Sequence, residues 1–134
     1  MILREDVQLK FYVMKKLFVL IVLMAGIVWG AESQSKGITF EQTKEWKKVL
    51  KKAKKEKKLI FIDCYTSWCG PCKMLSSQVF TREDVGNQFN ADFVNVKYDM
   101  EKDADGVMLK DKFEVKAFPT LVFVDPNTQQ VVHK

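Results

Sequence analysis

Cysteine, histidine, proline and glycine are all scarce in this sequence. Among 134 residues there are three Cys, one His, three Pro and six Gly. Three cysteines are too few to staple a small domain with a disulfide framework, and the lone histidine, His133, works against a zinc site. So little Gly and Pro excludes a collagen-like or low-complexity chain. What is abundant is apolar surface: 47% hydrophobic residues beside 29% charged ones leaves room for one globular domain with a real core and excludes a disordered chain.

Positive charge exceeds negative by five, and most of the excess is local. Between Lys44 and Lys58 nine lysines face only Glu45 and Glu56, so the rest of the domain is slightly acidic. Such a run most simply forms a solvated helix face; a basic docking face for an acidic partner or an anionic membrane is the alternative. Lysines confined to one helix, without interleaved aromatics, argue against nucleic-acid binding.

No apolar run is long enough to span a bilayer comfortably. Leu17 to Ala25 is unbroken, and Ile27, Val28 and Trp29 extend it after Gly26. As a helix, Leu17 to Trp29 reaches about 20 Å, short of the roughly 30 Å hydrocarbon core. Met14-Lys15-Lys16 before it and Gly30-Ala31-Glu32-Ser33 after it complete the pattern of a secretory signal peptide over residues 14–30. That pattern favours a removed leader over a retained membrane anchor. Residues 1–13 add nothing to it and read as a mis-assigned upstream extension, and residues 31–38 as a short linker. Export places the mature domain, residues 39–134, in an oxidising compartment, where cysteine pairs persist as disulfides.

Along that domain, Thr39-Phe40-Glu41-Gln42 matches a capping box and predicts a helix from about Phe40. Trp46, Val49, Leu50 and Ala53 form its apolar stripe. Leu59 to Tyr65 is a short apolar, β-branched and aromatic run suited to a buried strand, in which Asp63 is anomalous. A loop from Thr66 turns into a helix with Pro71 near its first positions. Thr81 to Asp84 starts a helix burying Val85 and Phe89, and Phe93 to Tyr98 is the next strand. Asp103 or Asp105 is expected to cap a helix over Val107 to Phe113. Strands at Thr120 to Val124 and Gln129 to His133 flank a turn at Asp125-Pro126-Asn127-Thr128. The predicted order is helix, strand, helix, helix, strand, helix, strand, strand: one α/β unit.

Cys69 and Cys72 lie across the loop-to-helix junction. The spacing sets Cys69 where unpaired helix N–H groups favour a thiolate, and Cys72 one turn on, where it can resolve a mixed disulfide. Half of a zinc site would need a second ligand pair, but only Cys64 and His133 remain. Haem attachment would need His where Lys73 stands. A purely structural clamp stays open.

In this context Trp68-Cys69-Gly70-Pro71-Cys72-Lys73 resembles the active-site motif of the thioredoxin superfamily, and the resemblance extends over residues 39–134. It implies a thioredoxin-like α/β fold: a central mixed sheet flanked by helices. It also implies an exposed nucleophile at Cys69, a buried resolving thiol at Cys72 and a redox-active disulfide between them, with no other cofactor and no metal. Asp63 matches the family's buried acid, whose carboxylate exchanges a proton with Cys72. Phe118-Pro119-Thr120 matches the family's cis-proline loop, where a substrate peptide pairs as an added strand. Trp68, Gly70, Pro71, Phe118 and Pro119 would then face substrate. Cys64, next to Asp63, should point to the opposite sheet face as a small core residue.

Two departures from the family pattern stand out. The lysine that many members place near the buried acid aligns with Asn95, with Lys97 two residues on. The usual C-terminal helix is lacking after Lys134, so we expect a truncated domain or a partner covering one sheet face. Val79 to Val85 is similar to exported members, including the C-terminal domain of the DsbD proteins. The resemblance implies an oxidoreductase acting on protein disulfides, most simply a periplasmic reductase fed by a membrane thiol donor. An oxidase or isomerase of the same fold, and a non-catalytic docking module using the lysine-rich helix, are the rivals.

Overall fold

The computed structural model describes residues 9–10, 12–17 and 36–134. The chain divides into two compact units, Met1–Gln34 and Ser35–Lys134. In the first, residues 12–17 are helical. The apolar stretch beyond Leu17 and the end of the expected leader lie outside the described residues. No helix among the described residues is long and apolar enough to cross a membrane.

The second unit runs α1 (Trp46–Glu56), β1 (Leu59–Tyr65), α2 (Gly70–Gln78), α3 (Glu83–Asp92), β2 (Phe93–Asp99), α4 (Ala104–Lys112), β3 (Thr120–Val124) and β4 (Val131–His133). This is the order the hydrophobic patterning predicts. The strands form one mixed sheet, β2-β1-β3-β4, with β1 parallel to β2, antiparallel to β3, and β3 antiparallel to β4. No helix follows β4 among the described residues.

Alternation along β1 divides its side chains between two cores. Ile60, Ile62 and Cys64 join Val94, Val96, Tyr98, Val122 and Val124 on one face, under Trp46, Val49 and Ala53 of α1 and Leu109 of α4. Phe61, fully buried on the other face, gathers the rings of Phe40, Phe80, Phe89 and Phe123 at centroid distances of 4.8–6.3 Å. Burying one such ring contributes about 1.5–3 kcal/mol, and each well-placed ring pair about 0.5–1.5 kcal/mol more. Asp63 lies on this second face with Phe61, and so does α2.

The capping box does not start a helix. α1 begins at Trp46, and the residues from Thr39 to Glu41 run irregularly along the edge of β2. Tertiary contacts outweigh the local motif here. Phe40 packs into the ring cluster, the Thr39 N–H goes to Asn90 Oδ1 at 2.8 Å, and the Glu41 N–H goes to the Asn95 carbonyl at 2.8 Å. The start of α1 is instead capped from across the fold, where Asp105 Oδ2 accepts the Trp46 N–H at 2.6 Å. Asp105 therefore caps a neighbouring helix and not its own. Asp103 is the N-cap residue of α4 without a side-chain cap, because its Oδ2 accepts the Asp99 N–H at 2.8 Å and a Lys44 Nζ bond at 3.1 Å.

Close backbone contact fixes α3. A Cβ on Gly86 would lie 2.2 Å from the Gly37 carbonyl oxygen, and Gly37 itself has φ of +100°. Only glycines let this helix press against the entering segment.

Candidate active site

β1 ends at Tyr65, and the next four residues turn the chain into α2. The Cys69 N–H donates to the Thr66 carbonyl at 3.2 Å, which closes the turn. Cys69 is the N-cap residue of α2, and its Sγ accepts the Cys72 N–H at 3.1 Å. Pro71 occupies the first turn, where an N–H would have no intrahelical partner. That first turn carries no acidic side chain, so nothing offsets the positive end of the helix dipole beside the sulfur. The Cys69–Cys72 disulfide is formed, with Cα atoms 5.3 Å apart.

One detail corrects the expectation of an exposed nucleophile. Cys69 is only 3% exposed and Cys72 4%, so accessibility does not distinguish the two. Position separates their roles instead: Cys69 sits outside the helix beside Trp68, whereas Cys72 lines a cleft of about 150 Å³ together with Asp63, Thr66, Ser76 and Lys97.

Asp63 is 2% exposed, and its Oδ1 has no hydrogen-bond partner; Thr66 Oγ1 is likewise unpartnered. Both residues line the cleft, which has room for water to bridge from the carboxylate to the thiol. Burial pushes the Asp63 carboxyl up to about 6, opposed by the positive charges of Lys97 and, secondarily, Lys44. Cys64 is fully buried among the core residues of the opposite face, and its thiol is pushed up to about 12 by burial and by the Asp63 charge. It stays a thiol in the physiological range, as suits a core residue.

The parallel register sets Asp63 directly beside Lys97 and sets Asn95 beside Phe61, so Lys97 supplies a cation next to the acid. Asn95 is structural: its Nδ2 donates to Asn90 Oδ1 at 3.1 Å and to the Phe89 carbonyl at 3.3 Å. Replacing Lys97 with Met is expected to raise the Asp63 pKa further above its free value, because the larger opposing charge disappears while burial stays. A carboxyl chemical-shift titration reads this directly; an unmoved midpoint would mean that Lys97 does not act on Asp63.

The rim of the site is apolar. Trp68 is 66% exposed, and its Nε1 donates to Glu101 Oε2 at 2.8 Å. Phe118 packs edge-on against it at 6.2 Å, and the Phe118–Pro119 peptide bond is cis. Gly70 and Pro71 are exposed at the helix start, and no side chain would be obstructed at Gly70, where a Cβ meets nothing within 4 Å. The structure thus brings Trp68, Phe118 and the cysteines to one end of the sheet. Glu101, the residue that holds Trp68, was not legible in the sequence. It lies in an irregular loop, oriented by its own N–H bond to Asp99 Oδ1 at 3.0 Å. Among the described residues no group of three or more side chains is placed to hold a metal ion.

The family model that matches this chain is Thioredoxin, over residues 37–134. Thioredoxin H2 of Arabidopsis thaliana is 32% identical over 96 residues, covering 71% of this chain and 67% of the plant protein. Thioredoxin-1 of Drosophila melanogaster is 34% identical over 70 residues, and there the match spans 60% of the fly protein. Among solved structures, a proposed disulphide-isomerase from Bacteroides thetaiotaomicron is 46% identical, with a TM-score of 0.64 over 75% of this chain and 81% of that one. A thioredoxin from Thermus thermophilus, 20% identical with a TM-score of 0.58 over 66% of this chain and 68% of that one, shares the fold.

Proposed function

The chain belongs to the thioredoxin family, and from that premise we propose that it reduces disulfides in protein substrates of the cell envelope. Its chemistry is thiol–disulfide exchange through Cys69 and Cys72. In the reduced protein the Cys69 thiolate, stabilised at the N-terminus of α2, attacks one sulfur of the substrate disulfide. A Cys69–substrate bond forms, and the other substrate sulfur leaves as a thiolate that takes a proton from water. Cys72 then gives its proton to the Asp63 carboxylate and attacks the Cys69 sulfur. The Cys69–Cys72 bond forms as the mixed disulfide breaks, the second substrate sulfur leaves as a thiolate that takes a proton from water, and Asp63 returns its proton to solvent. Two electrons have passed from the cysteine pair to the substrate, and the pair is the only redox carrier required.

The observation that carries this reading is the position of Cys72 on one cleft with a buried, unpartnered carboxylate poised near 6. An inert clamp has no use for it. Burying a carboxylate without a hydrogen-bond partner is costly, and proton exchange with a thiol explains why it is there. Gly70-Pro71 between the cysteines supports the reducing direction by resemblance to reducing members. The signal-peptide pattern of residues 14–30 supports the envelope, where a membrane thiol donor would recharge the pair.

A redox titration of the protein in glutathione buffers, read by thiol alkylation and mass spectrometry, tests the direction. A reversible couple more reducing than glutathione supports a reductase. The 46% identity to the proposed disulphide-isomerase favours a second reading, and a couple more oxidising than glutathione would establish it in place of the first. A folded protein whose pair never cycles would remove both.

A further inference from the structure

α1 carries its charges in two separate groups. At 3.6 residues per turn, Lys47, Lys51, Lys54 and Lys55 fall on one stripe, turned away from the buried Trp46, Val49 and Ala53. All four are exposed, and none has an ion-pair partner among the described residues. The acidic neighbours are spent on the other flank: Glu45 pairs with Lys48 at 2.5 Å, Glu41 with Lys52 at 2.5 Å, and Glu56 with Lys52 and Lys58 at 3.8 Å. A merely solvated helix would gain by spreading its carboxylates among its lysines. Here four like charges are left side by side, which costs stability unless something anionic lies against them.

The surroundings of the stripe decide what that is. A protein partner would need an apolar or aromatic anchor at the centre of its contact, and lysine is depleted from such centres. No exposed large hydrophobic residue lies on α1. Sequence-specific nucleic-acid contact would call for arginine forks or stacking rings, and the stripe has neither. A convex row of long, flexible cations suits a surface that is diffuse and uniformly negative. At the far end of the row Lys54, Lys57 and Lys58 frame a recess of about 380 Å³ with Asp125, Pro126 and Asn127, so three cations there face one carboxylate.

We propose that the Lys47–Lys55 face of α1 docks this domain on an anionic lipid surface. The fold makes the arrangement workable. α1 ends just before β1 begins, and β1 runs about 20 Å to the disulfide, so Lys54 and Lys55 lie at the opposite end of the sheet from Cys69. α1 packs on the sheet face opposite to Asp63 and α2, so a domain docked through α1 keeps the Cys72 cleft on the far side of the sheet from the lipid. The proposal holds for either direction of electron flow.

Sedimentation of the whole chain with vesicles tests it, comparing phosphatidylcholine alone with phosphatidylcholine containing phosphatidylglycerol. The apolar run and Lys15 and Lys16 act equally in every variant, so the readout is the difference between variants on anionic vesicles. K47Q/K51Q/K54Q/K55Q is expected to bind anionic vesicles at least about tenfold more weakly than the parent, with binding to neutral vesicles unchanged and the difference erased by high salt. Its rate of reducing a small disulfide should stay at the parental value, which reports an intact fold. The control K36Q/K102Q/K112Q/K116Q removes the same charge elsewhere and should keep most of the anionic binding. An equal loss in that control, or no loss in the α1 variant, overturns the proposal. So does a parent that binds duplex DNA or poly-glutamate through these lysines and shows no preference for anionic vesicles.

Discussion

Replacing Cys72 with serine is expected to turn the protein from a turnover catalyst into a trap. The variant should accumulate mixed disulfides with its substrates, all of them through Cys69, visible on non-reducing gels and assignable by mass spectrometry. Replacing Cys69 should instead leave exchange at background and trap nothing. The asymmetry follows from position and not from exposure, since the two residues are 3% and 4% exposed. Cys69 is the N-cap of α2, where its sulfur already accepts the Cys72 N–H at 3.1 Å. With the disulfide open, that N–H and the uncompensated helix dipole favour the Cys69 thiolate, which is the attacking species. Cys72 lies within the first turn on the cleft shared with Asp63, where that carboxylate is placed to take its proton. Removing Cys72 deletes the second step and spares the first. If trapped adducts formed through Cys72 in the Cys69 variant, the two roles would be reversed.

Much of this site was legible in the sequence, because its parts are local. Cys-x-x-Cys at a strand-to-helix junction, an aspartate six residues earlier and a Phe-Pro-Thr run before a strand are each readable as strings, and the fold places all three together. What escaped depends on pairing between distant segments. Lys97 is beside Asp63 only because β1 and β2 are parallel with Leu59 opposite Phe93, a pairing that no local string reveals. Glu101 reaches Trp68 from a loop with no periodicity to mark it. The start of α1 failed for a related reason. Thr39-Phe40-Glu41-Gln42 carries a sound local helix signal, yet Phe40 contributes more in the ring cluster around Phe61 than a capping box contributes to a helix end. The burial of Cys69 is likewise invisible in a string, since it depends on which neighbours the fold lays over the residue.

Asp63→Asn is expected to make the protein more stable and slower at once. The folded carboxyl is held up near 6, whereas in the unfolded chain it returns to about 3.9. A raised folded pKa means that the native state binds the proton more tightly than the unfolded one. The stabilisation from that proton is complete below the unfolded value and is lost as pH rises through 6. Two units of displacement correspond to about 3 kcal/mol, which the wild type forgoes at neutral pH relative to acid. Asparagine is neutral throughout, so denaturant unfolding at pH 7 to 8 should show the variant more stable by up to about 3 kcal/mol, with the gap closing towards pH 4. The same change removes the proton acceptor for Cys72. Resolution of a preformed Cys69 mixed disulfide should slow by about a hundredfold or more, in the range typical of a positioned general base. It should also lose the wild-type rise in rate through pH 6. A merely structural role for Asp63 predicts the reverse pairing, a weaker fold with the rate profile intact. The combination of gained stability and lost rate identifies a buried charge kept for the chemistry of Cys72, at the expense of the fold that surrounds it.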